Sequence, residues 1–220
     1  MKNLIHSLIV FVFTISILQA QEQGPQRFEK TILEYEEADK ASFPSKGANL
    51  FVGSSSIRIW QDIADYFPDH EVINRGFGGS MYSDLLYYLD RIVIPYEPAK
   101  IFIYEGDNDI AKGKDTKTIM KDVKKIRKII AKKLPNTEVA LIAAKPSVAR
   151  WELGDKYLEL NEALELFACR NEKTEYVDVW YPALDEDGMV FTNIFREDNL
   201  HMNAEGYKIW QKVMLPYLVK

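Results

Sequence analysis

A serine, a histidine and an aspartate can together turn a hydroxyl into a nucleophile, and this chain sets all three at turns. Ser55 lies in Leu50-Phe51-Val52-Gly53-Ser54-Ser55-Ser56-Ile57-Arg58-Ile59-Trp60, where an apolar run of strand character ends in glycine and three serines, then resumes as an amphipathic helix. A strand-to-helix turn exposes its hydroxyl at the carboxyl end of a sheet and aims free backbone N–H groups beside it. Read alone, the same residues are equally a strand end followed by a helix N-cap. Beyond residue 20 the chain has two histidines. His70, in Pro68-Asp69-His70-Glu71, reads as a solvent-exposed loop residue. His201 follows Asp198 by three positions and precedes a helix start at Asn203. One turn can then carry a base and the carboxylate that orients it. The competing reading makes Asp198 or Asn203 a cap and His201 incidental.

A nucleophile of this kind also needs donors for the negative charge that develops on a carbonyl oxygen. Gly79, in Asn74-Arg75-Gly76-Phe77-Gly78-Gly79, is a tight turn or a place where a ligand oxygen approaches a bare N–H. Asn108, in Gly106-Asp107-Asn108-Asp109, is turn chemistry or a carboxamide donor. A dinucleotide fingerprint is absent, since Met81 stands where the third glycine of G-x-G-x-x-G belongs, and there is no G-x-x-x-x-G-K-[ST]. No histidine–cysteine cluster suits zinc. Trp60, Trp151, Tyr181 and the acidic Glu105, Asp107 and Asp109 group are candidates for lining a sugar site, although tryptophan and tyrosine are more often core.

The elements that must position these residues alternate. A leading helix is expected over 27–40, strands over 48–52, 72–74, 100–104, 138–144 and 176–180, and helices over 56–67, 83–94, 116–134, 151–170 and 204–218. Nearly continuous apolar strands alternating with helices predict an α/β sandwich, helices on both faces of a central, mainly parallel five-stranded sheet. In such a sheet ligands bind outside the carboxyl ends of the strands, where Ser55, Gly79, Asn108 and the Asp198–His201 turn all fall. The lysines of 116–134 read as a solvated helix face.

Residues 1–20 stand apart: Lys2, an almost wholly apolar run from Leu4 to Leu18, and Ala20 before a polar stretch. That pattern predicts a secretory signal peptide cleaved after Ala20, with 21–220 as one domain and the mature protein secreted or periplasmic. The run is shorter than the roughly 20 residues of a membrane span, so no stable anchor is expected. A net charge of −5 gives no argument for nucleic acid. Cys169 is the only cysteine, which excludes an intrachain disulfide; its helical, apolar setting reads as a buried small hydrophobe.

Gly-x-Ser, Asn-x-Gly-x-x-Gly, Gly-x-Asn-Asp and Asp-x-x-His, in that order from Phe51 to Tyr207, resemble the SGNH (GDSL-type) hydrolases. The resemblance implies Ser55 as nucleophile, His201 as base, Asp198 as its orienting acid, and an oxyanion hole of the Ser55 and Gly79 N–H groups and the Asn108 side chain. It implies no cofactor or metal. Ser54 replaces the usual aspartate before the nucleophile, and Ser80 stands where an aspartate often follows the oxyanion glycine. The altered first block is similar to the subgroup of platelet-activating-factor acetylhydrolase and related bacterial esterases. The implied activity is a secreted serine esterase, with short-chain acetyl esters on carbohydrate expected first. Alternatives are a lysophospholipase or short-chain lipid esterase, a thioesterase, or a non-catalytic glycan- or lipid-binding protein. Oligomeric state is left open.

Overall fold

Five short apolar segments, β1 (Asn49–Gly53), β2 (Val72–Gly76), β3 (Lys100–Tyr104), β4 (Glu138–Ile142) and β5 (Thr174–Val177), pair into one sheet in the order β2-β1-β3-β4-β5. Every pairing is parallel, with Phe51 opposite Asn74 on one side and Phe102 on the other. This computed structural model describes residues 24–220, so the segment read as a signal peptide lies outside the described residues.

Side chains alternate across a strand, and here the alternation divides the interior in two. Leu50, Val52, Ile101, Ile103, Val139 and Leu141 face one core. That face is covered by α1 (Glu29–Ala41), α4 (Tyr82–Ile92), α6 (Thr116–Lys133) and α7 (Gly154–Cys169). Phe51, Phe102, Tyr104 and Ile142 face the other, more aromatic core, under α8 (Ala204–Met214). Phe51 and Phe102 stack with centroids 4.4 Å apart, and Trp60 stacks on Tyr207 at 4.7 Å. Burying both faces is what permits an all-parallel sheet, and the expected three-layer α/β sandwich is the architecture observed.

Several boundaries differ from expectation for identifiable reasons. The helix expected over 56–67 is two short pieces, α2 (Ser55–Arg58) and α3 (Ile63–Tyr66). Asn74 of β2 donates through its carboxamide to the carbonyls of Ile57 (2.7 Å) and Trp60 (2.9 Å), ending the first piece. The break turns Trp60 fully into the aromatic core, which removes it from the candidate sugar-lining residues. A 3-10 segment, Val148–Leu153, precedes α7, and another, Leu215–Tyr217, follows α8. β5 begins two residues early and stops at Val177, because Asp178 accepts from the Trp180 N–H and turns the chain. Cys169 is exposed rather than buried: Leu164 and Ala168 form the packed stripe of α7, and Cys169 sits on its outer side. His70 is half-buried, with Nδ1 shielded from solvent, rather than a freely exposed loop residue.

Candidate active site

Gly53 ends β1 with φ +134°, a conformation that disfavours side chains, and a Cβ there would lie 2.0 Å from the Tyr104 carbonyl oxygen of β3. Glycine therefore lets β1 turn sharply while pressed against its neighbour. Ser54 donates its N–H to Tyr104 O (3.0 Å), and Ser55 opens α2. The Ser55 N–H belongs to a first helical turn, whose donors have no partner inside the helix. Of the three serines, Ser54 and Ser56 are buried and Ser55 is half-buried.

The chain returns 146 residues later. His201 Nε2 lies 2.9 Å from Ser55 Oγ, and His201 Nδ1 lies 2.6 Å from Asp198 Oδ2. The other carboxylate oxygen of Asp198 accepts the N–H groups of Leu200 (3.0 Å) and His201 (2.9 Å), closing the turn that fixes the ring. Burial pushes the Asp198 carboxyl upward, but hydrogen bonds from the His201 ring and these two N–H groups outweigh it and hold the group well below the usual carboxylate range. Asn203 does cap α8 through the Glu205 N–H, but Asp198 is bonded to the histidine, and the histidine, in contact with Ser55, is not incidental to the turn. Three further bonds brace the turn. Lys145, three residues beyond β4, donates to Leu200 O (2.6 Å), Ala149 N–H to Asn199 O (3.0 Å) and Arg196 N–H to His201 O (2.8 Å).

Gly79 and Asn108 follow the ends of β2 and β3, and Asn108 bonds to Ser54 and Ser80, the chain neighbours of Ser55 and Gly79. Gly79 has φ +86° and open space where a side chain would be. Asn108 sits in α5 (Asp107–Ala111) and is already engaged: its Nδ2 donates to Ser54 Oγ (2.6 Å) and to Ser80 O (3.0 Å). Its Oδ1 accepts from Arg150 (3.2 Å), whose guanidinium is held in turn by Asp107. Burial pushes Asp107 up, yet Lys145, Arg150 and the Tyr157 hydroxyl more than offset it and lower its pKa. The carboxylates suggested for a sugar site are thus structural. Asp107 holds Arg150, Asp109 holds Lys114 and the Tyr82 N–H, and Glu105 accepts from Ser80 Oγ (2.6 Å), all three buried. Tyr181 is exposed, and Trp151 stacks on Trp180.

Lys145 and Arg150 are the residues sequence reasoning passed over. Lys145 had a signal, a lysine directly after the apolar run Val139 to Ala144; Arg150 had none, since its partners Asn108 and Asp107 are 42 and 43 residues away. Among the described residues no group of three or more histidine, cysteine or acidic side chains is placed to hold a metal ion. No described helix is long and apolar enough to cross a membrane.

A hydroxyl, an imidazole and a carboxylate in this relay, beside two strand-end donors, suit acyl transfer. Residues 48–209 match the GDSL-like lipase/acylhydrolase family. The chain belongs to that family. It is an ester-hydrolysing enzyme, as the family is. Among solved structures it is similar to a Streptococcus pneumoniae protein provisionally assigned as a platelet activating factor (24% identity, 94% of this chain and 99% of that one, TM-score 0.81). It is also similar to a GDSL-like lipase from Bacteroides thetaiotaomicron (20% identity, 84% and 96%, TM-score 0.72). A third is a variant of an acetyl xylan esterase from Geobacillus stearothermophilus (15%, 79% and 95%, TM-score 0.60). At these identities the likeness carries the fold. None of the curated proteins matches the sequence.

Proposed function

We propose that this GDSL-like hydrolase is an exported serine esterase that removes short acyl groups, acetyl foremost, from carbohydrate. The observation that carries the mechanism is the continuous relay Ser55 Oγ–His201 Nε2 (2.9 Å) and His201 Nδ1–Asp198 (2.6 Å). In the proposed reaction His201 Nε2 takes the Ser55 proton as the oxygen attacks the ester carbonyl. Asp198 keeps the imidazole oriented and stabilises its charged form. The oxyanion is held by the N–H groups of Ser55 and Gly79 and by Asn108, which must give up Ser54 or Ser80 to do so. Collapse transfers the His201 proton to the leaving alcohol; water, deprotonated by the same ring, then releases the acid and regenerates Ser55.

Carbohydrate is favoured because the cleft beyond Gly79 and Asn108 is wide and polar, with Phe28 and Met81 its only large apolar side chains among the described residues. The acetyl xylan esterase neighbour points the same way. The test is release of p-nitrophenol from acetate, butyrate and octanoate esters by the parent and Ser55→Ala. Acetate preference abolished in Ser55→Ala supports the reading, octanoate preference moves the substrate to lipid, and activity that survives the substitution removes Ser55 from its role. Export rests on residues 1–20 and is checked by sequencing the amino terminus of the native protein, with Gln21 expected first.

A further inference from the structure

Gly79 and Asn108 form one edge of an open cleft of about 1110 Å³, and the charge along the rest of that cleft has a single sign. Its charged lining residues are Arg27, Arg58, Lys112, Lys114 and Arg150, with no carboxylate among the lining side chains. This opposes the character of the whole chain, which carries a net −5.

The buried acids beneath the cleft balance only part of this charge. Asp84 pairs with Arg27 (2.6 Å), Asp109 with Lys114 (2.8 Å) and Asp107 with Arg150 (2.5 Å). Arg58 and Lys112 are exposed and make no ion pair among the described residues. Arg58 comes from α2, three residues after the candidate nucleophile, and its guanidinium lies across Gly78, where any side chain would displace it. Lys112 follows the helix that bears Asn108. The two uncompensated cations therefore stand at the ends of the two short helices that carry Ser55 and Asn108.

We infer that the substrate bears a fixed anionic group, a carboxylate or a phosphate, on its alcohol half, held in this cleft by Arg58 and Lys112. The inference rests on the short-chain esterase reading above: when the acyl group is small, the bulk of the substrate is its alcohol half, and the cleft lined by Gly79 and Asn108 has room for it. Guanidinium and ammonium groups together recognise carboxylate or phosphate by charge-assisted hydrogen bonds. A cleft of one sign also concentrates oppositely charged substrate, an effect that fades as salt screens it.

The test compares matched acetate esters: 4-acetoxybenzoate and 4-acetoxyphenyl phosphate as anions, and 4-acetoxybenzamide as the neutral partner. Intrinsic reactivity differs among them, so the quantity read is the anion-to-neutral ratio of kcat/KM in the parent divided by that in Arg58→Gln/Lys112→Gln. A ratio of about ten or more, collapsing in about 0.5 M sodium chloride, is expected. Lys124→Gln, on the exposed face of α6, is expected to leave it unchanged. A ratio near one with Ser55-dependent hydrolysis of all three esters overturns the inference and leaves the esterase reading standing. Binding of 4-acetoxybenzoate and 4-acetoxybenzamide to Ser55→Ala, read by titration calorimetry, needs no turnover. Anion preference there supports the cleft even if Ser55 loses its role, and equal affinity overturns it. Within a positive result, the faster of the two anions separates an acidic sugar from a phosphate-bearing alcohol.

Discussion

Asn108, the proposed oxyanion donor, has its hydrogen bonds already made, which sets what its removal should cost. The amide donates to Ser54 and Ser80 and accepts from Arg150, so it is held on three sides before any oxyanion forms. Donating to the oxyanion exchanges one of these bonds, which offsets part of the gain, and Asn108→Ala is expected to lower kcat about 10²-fold with a small change in KM. Asp198→Asn keeps an acceptor for the Leu200 and His201 N–H groups but favours the wrong imidazole tautomer, and should lower kcat about 10⁴-fold. Its effect on stability should be slight. A carboxylate whose folded pKa is depressed contributes stability above its unfolded value, near 3.9, and loses it only as pH falls through the folded one. With its side chain 48% exposed, water screens most of that contribution. Steady-state kinetics beside a thermal melt at neutral pH would read both effects from one variant. These residues were legible because their types are scarce and their spacing local: one histidine beyond the polar turn at 70, an aspartate three positions before it. Arg150 was not, because an arginine gains meaning only from partners that the fold brings from a distant segment.

At the scale of elements, the sequence placed all five strands, and missed where a tertiary bond overrides a local pattern. Periodicity through Ile57, Trp60, Ile63, Ala64 and Phe67 is genuinely helical, and no residue inside 56–67 forbids a continuous helix. The break comes from Asn74 on another strand, whose two donated bonds satisfy carbonyls that a longer helix would have used itself. Asn74→Ala removes two side-chain hydrogen bonds, although each carbonyl keeps a backbone donor (Trp60 N–H on Ile57 O, Ile63 N–H on Trp60 O), and is expected to cost about 1–3 kcal/mol in urea denaturation. It should also lower kcat, since α2 carries Ser55. Gly53→Ala is the harsher change: its new methyl meets backbone, not a movable side chain, so β1 and β3 must separate. That variant is expected to melt far below the parent or to be recovered insoluble.

Across the whole molecule, the carboxyl end of the sheet is built on buried acids, and this has a pH signature. Glu105 follows β3 directly, fully buried, and its Oε2 has no hydrogen-bond partner among the described residues. Burial pushes its pKa well above the ordinary value, with Asp109 and Asp84 adding to the rise and the Ser80 hydrogen bond opposing it. A carboxyl raised on folding contributes stability that is complete below its unfolded value, near 4.3, and is lost as pH climbs through the folded one. Glu105→Gln keeps an acceptor for Ser80 without the ionisation. Its melting temperature should exceed the parent's by roughly 2–4 °C for each kcal/mol gained above neutral pH, the gap closing towards pH ~4. Composition could not reveal this, because in sequence Glu105, Asp107 and Asp109 suit a ligand-lining turn as well as a buried one.

The thiol at position 169 has a practical bearing on how the enzyme can be handled. Helices that return between parallel strands run opposite to them, so α7 starts near Arg150 at the reactive end and finishes beside the start of β5. Its 16 residues span about 24 Å. Cys169, exposed and without a second cysteine to compete, therefore marks the far pole of the molecule. Maleimide coupling through it would fasten every copy to a bead or chip in one orientation, with the catalytic rim facing the liquid.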